Sequence, residues 1–289
     1  MYELWSVMGE RVGFDSVVSR QSKELRMVRW GFWRNRTHNL ARMSLGDLVV
    51  AFFSYYAVLV YLGFAAAALW LTALWFEGWL PLFAGGVFAA VVYPLAWYLI
   101  HRWVLHGQYL YRSQLTAKVW KRIHFDHHQD PHNLVVLFGA LYTTIPAIAL
   151  VTIPVGYLIG GKSAAALAFA IGIFSTVFYE FCHCVQHLNT TPKTAFMRQV
   201  KKYHLAHHFH NEQGNFGITN YLWDRLFGTF YPEPKLRPKS ATVFNIGYTD
   251  EMAQRYPWVA ALSNGTRGDA NPRRFRSDQF EATSQRAGH

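Results

Sequence analysis

A chain of 289 residues with 52% hydrophobic residues, 16% charged residues and a net charge of +11 has room for one or two domains. The basic surplus does not mark a nucleic-acid binder, because the Lys and Arg residues fall in three separate stretches and no recognition motif accompanies them. Two cysteines, Cys182 and Cys184, flank His183; as a lone C-x-C pair they read as small buried helix residues before they read as metal ligands.

Residues 1–44 are polar, with Trp5, Trp30, Phe32 and Trp33 set among Arg26, Arg29, Arg34 and Arg36. Aromatics mixed with arginine ahead of an apolar run suit an arm lying in a membrane interface. A loosely ordered arm is the plain alternative. No apolar signal segment opens this stretch, so the first long apolar run is expected to direct insertion. That run, 47–76, carries no charge or histidine after Asp47. Residues 78–100 and 133–161 are free of both, and 163–179 is clean up to Glu180. A bilayer core takes about 20 apolar residues of helix, whereas helices of soluble proteins average about 11–12 residues and carry charge along one face.

The pattern therefore predicts four transmembrane helices in two hairpins. In the first, 47–76 and 79–100 turn at Phe76-Glu77-Gly78, and Pro94 kinks the second arm. In the second, 133–158 and 163–187 turn at Gly160-Gly161, and membrane packing tolerates Pro146 and Pro154 in its first arm. Residues 112–130, charged and free of Pro and Gly, predict a helix outside the bilayer, as do 193–210. Residues 214–232 read as a Gly- and aromatic-rich loop or short helix. From about 263 the chain loses apolar periodicity and is expected to be disordered; its Arg267-Gly268-Asp269 triplet reads as chance.

Charge placement gives the orientation. Eight Lys and Arg residues lie in 1–44, five in 101–132 and fourteen in 186–289, with Lys162 alone elsewhere. Basic residues beside membrane helices stay on the cytoplasmic side. Four crossings put all three basic stretches, and both termini, in the cytoplasm, where anionic headgroups account for the charge and the two thiols stay reduced.

Twelve of the 14 histidines lie between 101 and 210. Ten of them form four clusters: His101-x4-His106, His124-x2-His127-His128, His183-x3-His187 and His204-x2-His207-His208. Imidazole is the commonest protein ligand for transition metals. Positions i, i+3 and i+4 of a helix share a face, so His124, His127 and His128 are expected to point one way, and His204, His207 and His208 likewise. His183 and His187 are i, i+4 at the end of the fourth apolar segment. His101 and His106 are i, i+5, which predicts a helix end or a π-bulge. The charge-derived topology puts all ten at one membrane level, enough nitrogens for two metals at about five each. A single such histidine is ordinarily a satisfied polar residue; four patterned clusters are not.

His132, which follows Pro131, and His210, off the helical face of the last cluster, are left out of the ligand set. His38 and His289 are background. The nearby carboxylates are Asp126, Asp130, Glu180 and Glu212, expected to hold imidazole N–H groups. Glu180, an acid inside an apolar span, is the leading candidate for a catalytic role. Asp126 is the second, with a helix-surface role as its alternative.

These clusters, in this order and spacing, resemble the integral-membrane fatty acid hydroxylase/sterol desaturase superfamily, whose boxes HxxxxH, HxxHH, HxxxH and HxxHH match at ten positions. Asn215-Phe216-Gly217-Ile218-Thr219, followed by Trp223-Asp224 and Phe227-Gly228-Thr229, resembles the motif after the family's last box. The resemblance covers about residues 50–232. It implies an all-α integral membrane protein with a cytoplasmic histidine-rich helical cap. Residues 1–44 would be an N-terminal arm, 45–232 the catalytic domain and 233–289 a cytoplasmic tail.

It further implies two iron ions held by His101, His106, His124, His127, His128, His183, His187, His204, His207 and His208. O2 would be the co-substrate, and an unactivated C–H bond of a lipid from the bilayer would be oxidised. No haem-binding cytochrome module is fused ahead of the first helix. Electrons are then expected from a separate protein, a b-type cytochrome or a ferredoxin with its reductase, docking by an acidic face on the basic surface. Fatty-acyl hydroxylation leads. Sterol desaturation or methyl oxidation stays open, as does carotenoid hydroxylation, because the run from His101 to Gly107 is also similar to the first box of bacterial carotene hydroxylases. Trp223, Phe227 and Phe230 are expected to line the lipid mouth or to anchor in the interface. A metal transporter would set carboxylate-rich ligands near the bilayer midplane, and a bis-histidine haem protein would leave both HxxHH boxes unused.

Overall fold

The computed structural model describes residues 38–263. Residues 1–37 of the expected interfacial arm over 1–44, the tail beyond 263 and the placement of both termini lie outside these residues. Among the described residues every regular element is helical, and the one β-type contact is an isolated bridge between Asn39 and Asn133.

The first apolar run forms two helices where one was expected. Helix α1, Leu45–Phe53, starts at a capping box: Asp47 N–H donates to Ser44 Oγ at 3.2 Å, and Ser44 N–H donates to the Asp47 carboxylate at 3.1 Å. The charge that opens the run is thus a cap. At the other end the Ser54 hydroxyl donates to the Val50 carbonyl at 2.6 Å. Tyr55 then turns extended and stacks its buried ring on Phe138 at 3.9 Å. Helix α2, Tyr56–Leu74, follows.

Helix α3, Trp79–Leu99, runs through Pro94 and continues into a π-helical turn, Ile100–Leu105. After a 3-10 turn, α4, Gln114–Trp120, passes through a second π segment, Lys121–Phe125, into the single turn α5, Asp126–Gln129. A four-residue helix α6, Leu134–Leu137, precedes the longest element, α7, Leu141–His187.

Helix α7 reverses direction at Gly160 and Gly161. Gly161 has φ +66°, a backbone that L side chains rarely adopt. The two arms, 141–159 and 162–187, lie against each other so tightly that a Cβ on Gly172 would sit 2.7 Å from Ile148 Cγ2. Ser163 Oγ donates to the Thr72 carbonyl at 2.9 Å and ties the reversal to the end of α2. Among the described residues three stretches are long and apolar enough to cross a membrane, Tyr56–Leu74, Trp79–Arg112 and Leu134–His187, the last containing the reversal. Both α2 and α3 pack on α7. Leu48, Phe52, Tyr61, Tyr93, Ile148 and Ile173 belong to one buried cluster that joins these helices.

Helix α8, Ala195–Phe209, begins at Thr194, whose side chain accepts the Met197 N–H. The five-residue helix α9, Leu222–Leu226, follows a loop. The stretch beyond 232, expected to be a tail, is folded up to the last described residue. It contains α10, Asp250–Arg255, and α11, Trp258–Leu262. Its Ile246, Tyr248 and Val259 form a second buried cluster with Tyr111, Trp120 and Phe125. The end of the described chain is thereby packed on the helix that carries the second histidine box.

Candidate metal centre

Each histidine pair or box is placed by its local backbone. Five residues of α-helix would rotate His106 about 140° away from His101. The π turn removes that divergence: the His106 N–H donates to the His101 carbonyl at 3.1 Å, and the two rings come within 5.0 Å. His106 Nε2 then lies 2.8 Å from His124 Nε2, and His101 Nε2 lies 3.2 Å from the same atom. With His207 these three form a group of four in which one ring nitrogen from each lies within 4.8 Å of the others.

His127, His183, His187, His204 and His208 form a second group, of five, on the same criterion. His187 Nε2 and His204 Nε2 are 2.9 Å apart. A third set, His128, His207 and His208, overlaps the other two and marks the seam between them. There the His128 ring stacks on His208 at 4.2 Å.

The two HxxHH boxes do not each present one face to one group. Positions i+3 and i+4 are about 100° apart and fall on either side of position i. His124 joins the group of four and His127 the group of five, while His128 stands at the seam. In the last box His207 joins the four, and His204 and His208 join the five. Each box feeds both groups, which makes one two-part centre.

The donor set suits metal ions. Seven of these histidines, including His127, His183 and His204, keep a buried ring nitrogen with no hydrogen-bond partner. A buried polar atom left this way costs about 1–3 kcal/mol. Burial first, and crowding by the other imidazoles second, hold His124, His127, His204, His207 and His208 well below the ordinary imidazole value. Burial pushes His128 down to about 3. The rings are therefore neutral, each with a lone pair to offer, and paired Nε2 atoms near 3 Å face each other where an ion would draw them together. All-imidazole donors fit first-row transition metals.

Main-chain carbonyls orient the rings. Nδ1–H of His101 donates to the Phe216 carbonyl at 2.5 Å, that of His128 to Val243 at 2.9 Å and that of His207 to Gly214 at 2.8 Å. Each bond fixes the tautomer and turns Nε2 inward.

The carboxylates expected in this role are used elsewhere, and among the described residues none is hydrogen-bonded to a histidine of the two groups. Asp126 forms an ion pair with Lys121 at 2.6 Å. It sits between His124 and His127 in sequence and belongs to none of the three histidine sets. Glu180 accepts the Gly139 N–H at 3.0 Å with one oxygen and buries the other. Asp130 caps α5. Glu212 accepts two hydroxyls, from Ser240 and Thr242.

Asp224 has a role that histidine spacing could not reveal. Buried, it accepts the Phe216 N–H and the Gly217 N–H, both at 2.8 Å, and the Thr229 hydroxyl at 2.7 Å. The signal lay in the terminal motif, where the Asp follows Phe216 by eight residues. His132 and His210 lie outside all three sets and bond the carbonyls of His187 and Arg237. Cys182 and Cys184 are buried free thiols outside the sets.

A shallow groove with room for about one water molecule lies beside the group of four, lined by Pro94, Trp97, Tyr179, Phe216 and Trp223 among others. Phe216 belongs to both places: its ring lies 5.3 Å from that of His106. Of the three aromatics expected at a mouth, Trp223 lines the groove. Phe227 instead stacks on Tyr98, and Phe230 packs on Tyr203 under the Arg225 guanidinium.

Residues 86–229 match the fatty acid hydroxylase family. Over 156 residues the chain is 35% identical to a ceramide very long chain fatty acid hydroxylase of Saccharomyces cerevisiae, a match that covers 52% of this chain and 38% of that protein. It is 29% identical over 158 residues to a fatty acid 2-hydroxylase of Rattus norvegicus, covering 52% and 41%. A dihydroceramide fatty acyl 2-hydroxylase of Arabidopsis thaliana is 32% identical over 151 residues, covering 49% and 58%. The chain spans about two-fifths of the length of the first two relatives.

Proposed function

We propose, from the match of residues 86–229 to the fatty acid hydroxylase family, that this chain is a membrane oxidoreductase that uses O2 to hydroxylate a fatty-acyl chain. The carbon next to the acyl carbonyl is the proposed position, and an amide-linked, ceramide-like lipid the proposed carrier, by analogy with the names of the relatives. The observation that carries the reading is the pair of histidine groups meeting at one seam beside an aromatic groove.

Two iron ions, one in each group, would supply the redox chemistry with O2 that an unactivated C–H bond requires. The chain's own residues do the rest. The carbonyls of Phe216, Gly214 and Val243 hold three rings in the tautomer that presents Nε2. Phe216 and Trp223 line the groove beside the group of four and would offer an acyl chain an aromatic wall there. Glu180, one turn before His183, steadies the start of α7 by holding Gly139.

We read the reversal in α7 as a turn beyond the far face of the bilayer, so that α2, α3 and the two arms of α7 make four crossings. The distribution of Lys and Arg then puts the histidines on the cytoplasmic side. A separate acidic redox protein is the proposed electron donor. Exposed Lys118, Lys193, Arg198 and Lys202 offer it a basic surface.

The test is expression of the chain and of His127→Ala under air in a bacterial host given a ceramide and a ferredoxin or b-type cytochrome system, followed by lipid mass spectrometry. A histidine-dependent lipid one oxygen heavier, fragmenting to place the hydroxyl next to the carbonyl, supports the reading. A lipid lacking two hydrogens makes the chain a desaturase. No histidine-dependent product overturns the proposal.

A further inference from the structure

We propose that Glu212 is a positioning residue of the metal centre that acts on His128 through residues 240–243. The inference rests on the reading of the histidine groups as a two-metal site.

Glu212 is 3% exposed. One carboxylate oxygen accepts the Ser240 hydroxyl at 2.9 Å and the Thr242 hydroxyl at 2.6 Å. Ser240 Oγ accepts the Thr242 N–H at 3.1 Å, and the Ser240 N–H donates to the His210 carbonyl at 2.8 Å. The Asn211 side chain holds the Pro238 carbonyl at 2.9 Å. The segment is thus pinned to the end of α8, the helix of the last histidine box. Its next residue, Val243, is wholly buried, and its carbonyl accepts His128 Nδ1–H at 2.9 Å. Beside it Gln129 donates to the Phe244 carbonyl at 2.6 Å.

The consequence is local to the seam. With Nδ1 occupied, His128 Nε2 is buried without a partner in the set it shares with His207 and His208. It is the second-box ring that stands between the two groups. A carboxylate in direct contact would favour a protonated imidazole. One step removed, Glu212 fixes the ring through a neutral carbonyl and leaves its lone pair free. Residues 240–243 lie beyond the matched region 86–229, so the centre takes one of its supports from outside the part of the chain that the family describes.

The experiment uses the purified full-length chain in detergent as wild type, Glu212→Ala, Glu212→Gln, His128→Ala and the Glu212→Ala/His128→Ala double variant. Each is loaded with iron for stoichiometry, and with cobalt(II) for its absorption spectrum and for competition affinity. The wild type is expected to hold two ions. Glu212→Ala is expected to weaken one of them by about 10- to 100-fold and to shift the cobalt spectrum as His128→Ala does. Glu212→Gln keeps an oxygen for both hydroxyls and is expected to restore the wild-type spectrum. The double variant is expected to be no worse than His128→Ala alone. The proposal is overturned if Glu212→Ala keeps wild-type affinity and spectrum, or if its loss adds in full to that of His128→Ala. A wild type that takes up fewer than two ions refutes the two-metal reading itself. If Glu212→Ala does not fold, Thr242→Val replaces it and Thr242→Ser serves as the restoring variant, judged by the same outcomes.

Discussion

His101 and Phe216 are joined by a hydrogen bond of 2.5 Å from the imidazole Nδ1 to the main-chain carbonyl. The same Phe216 gives its N–H to Asp224 and turns its ring toward His101 and His106. One residue of the loop after the last box therefore orients one ring of the group of four and walls the adjoining groove.

Asp224→Ala removes the acceptor of two main-chain N–H groups and one hydroxyl in a buried loop. At about 1–3 kcal/mol for each buried donor left unpaired, unfolding in detergent should show a loss of about 3 kcal/mol or more. Metal analysis should show weaker binding at the group of four. Asp224→Asn retains one oxygen and should fall between the variant and the wild type.

Loss of a ring from one group should remove mainly one ion. His106→Ala and His183→Ala are each expected to lower iron from two per chain toward about one. His208→Ala touches the group of five and the seam together and is expected to disturb both. Elemental analysis of the purified variants checks this.

Stability of the metal-free chain should fall with acid. His124, His127, His204, His207 and His208 are held well below 6.5 when folded, and His128 at about 3. The unfolded chain takes up protons from about pH 6.5 downward while the folded chain does not. The unfolded state then binds more protons, and stability drops as pH falls, by up to about 1.4 kcal/mol per unit for each ring. Melting temperatures of the metal-free protein should be flat above pH 7 and decline steeply from pH 6.5 to 5. A flat profile throughout would contradict the burial of these rings.

Gly172→Leu should force apart the arms of α7, because even a Cβ there would sit 2.7 Å from Ile148 and 3.0 Å from Thr152. Overpacking of this kind costs about 1–3 kcal/mol. Thermal unfolding in detergent should register it, and metal content below the melting transition should stay at the wild-type level.

Asp126→Asn tests the opposite case. Its carboxylate serves Lys121 in a part-buried pair away from the histidine sets, so losing the charge is expected to cost stability rather than metal. Metal content and product formation are expected to match the wild type. A loss of either would return Asp126 to the centre.

The legible part of this protein was periodic. Apolar runs gave the helices, the paired glycines at 160 and 161 gave the reversal, and the five-residue interval from His101 to His106 left a helix end or a π turn, of which the fold takes the π turn. The end of α1 at Ser54 was not legible, because the residues around it are as apolar as those of a continuous helix, and what stops it is the stacking of Tyr55 on Phe138. The packed segment 240–262 was also missed, since short helices of mixed polarity carry no strong period.

The sequence by itself determined that ten imidazoles gather at the ends of long apolar helices, because spacing within a helix is local and fixed by 3.6 residues per turn. Only the tertiary structure decided how they divide and what orients them. His101 meets Phe216, and His128 meets Val243, each across 115 residues of chain. Carboxylates read as neighbours of the rings act instead through such carbonyls, or elsewhere. A hydrogen bond to a main-chain carbonyl asks nothing of the side chain that residue carries, so no pattern of residue types could have announced it.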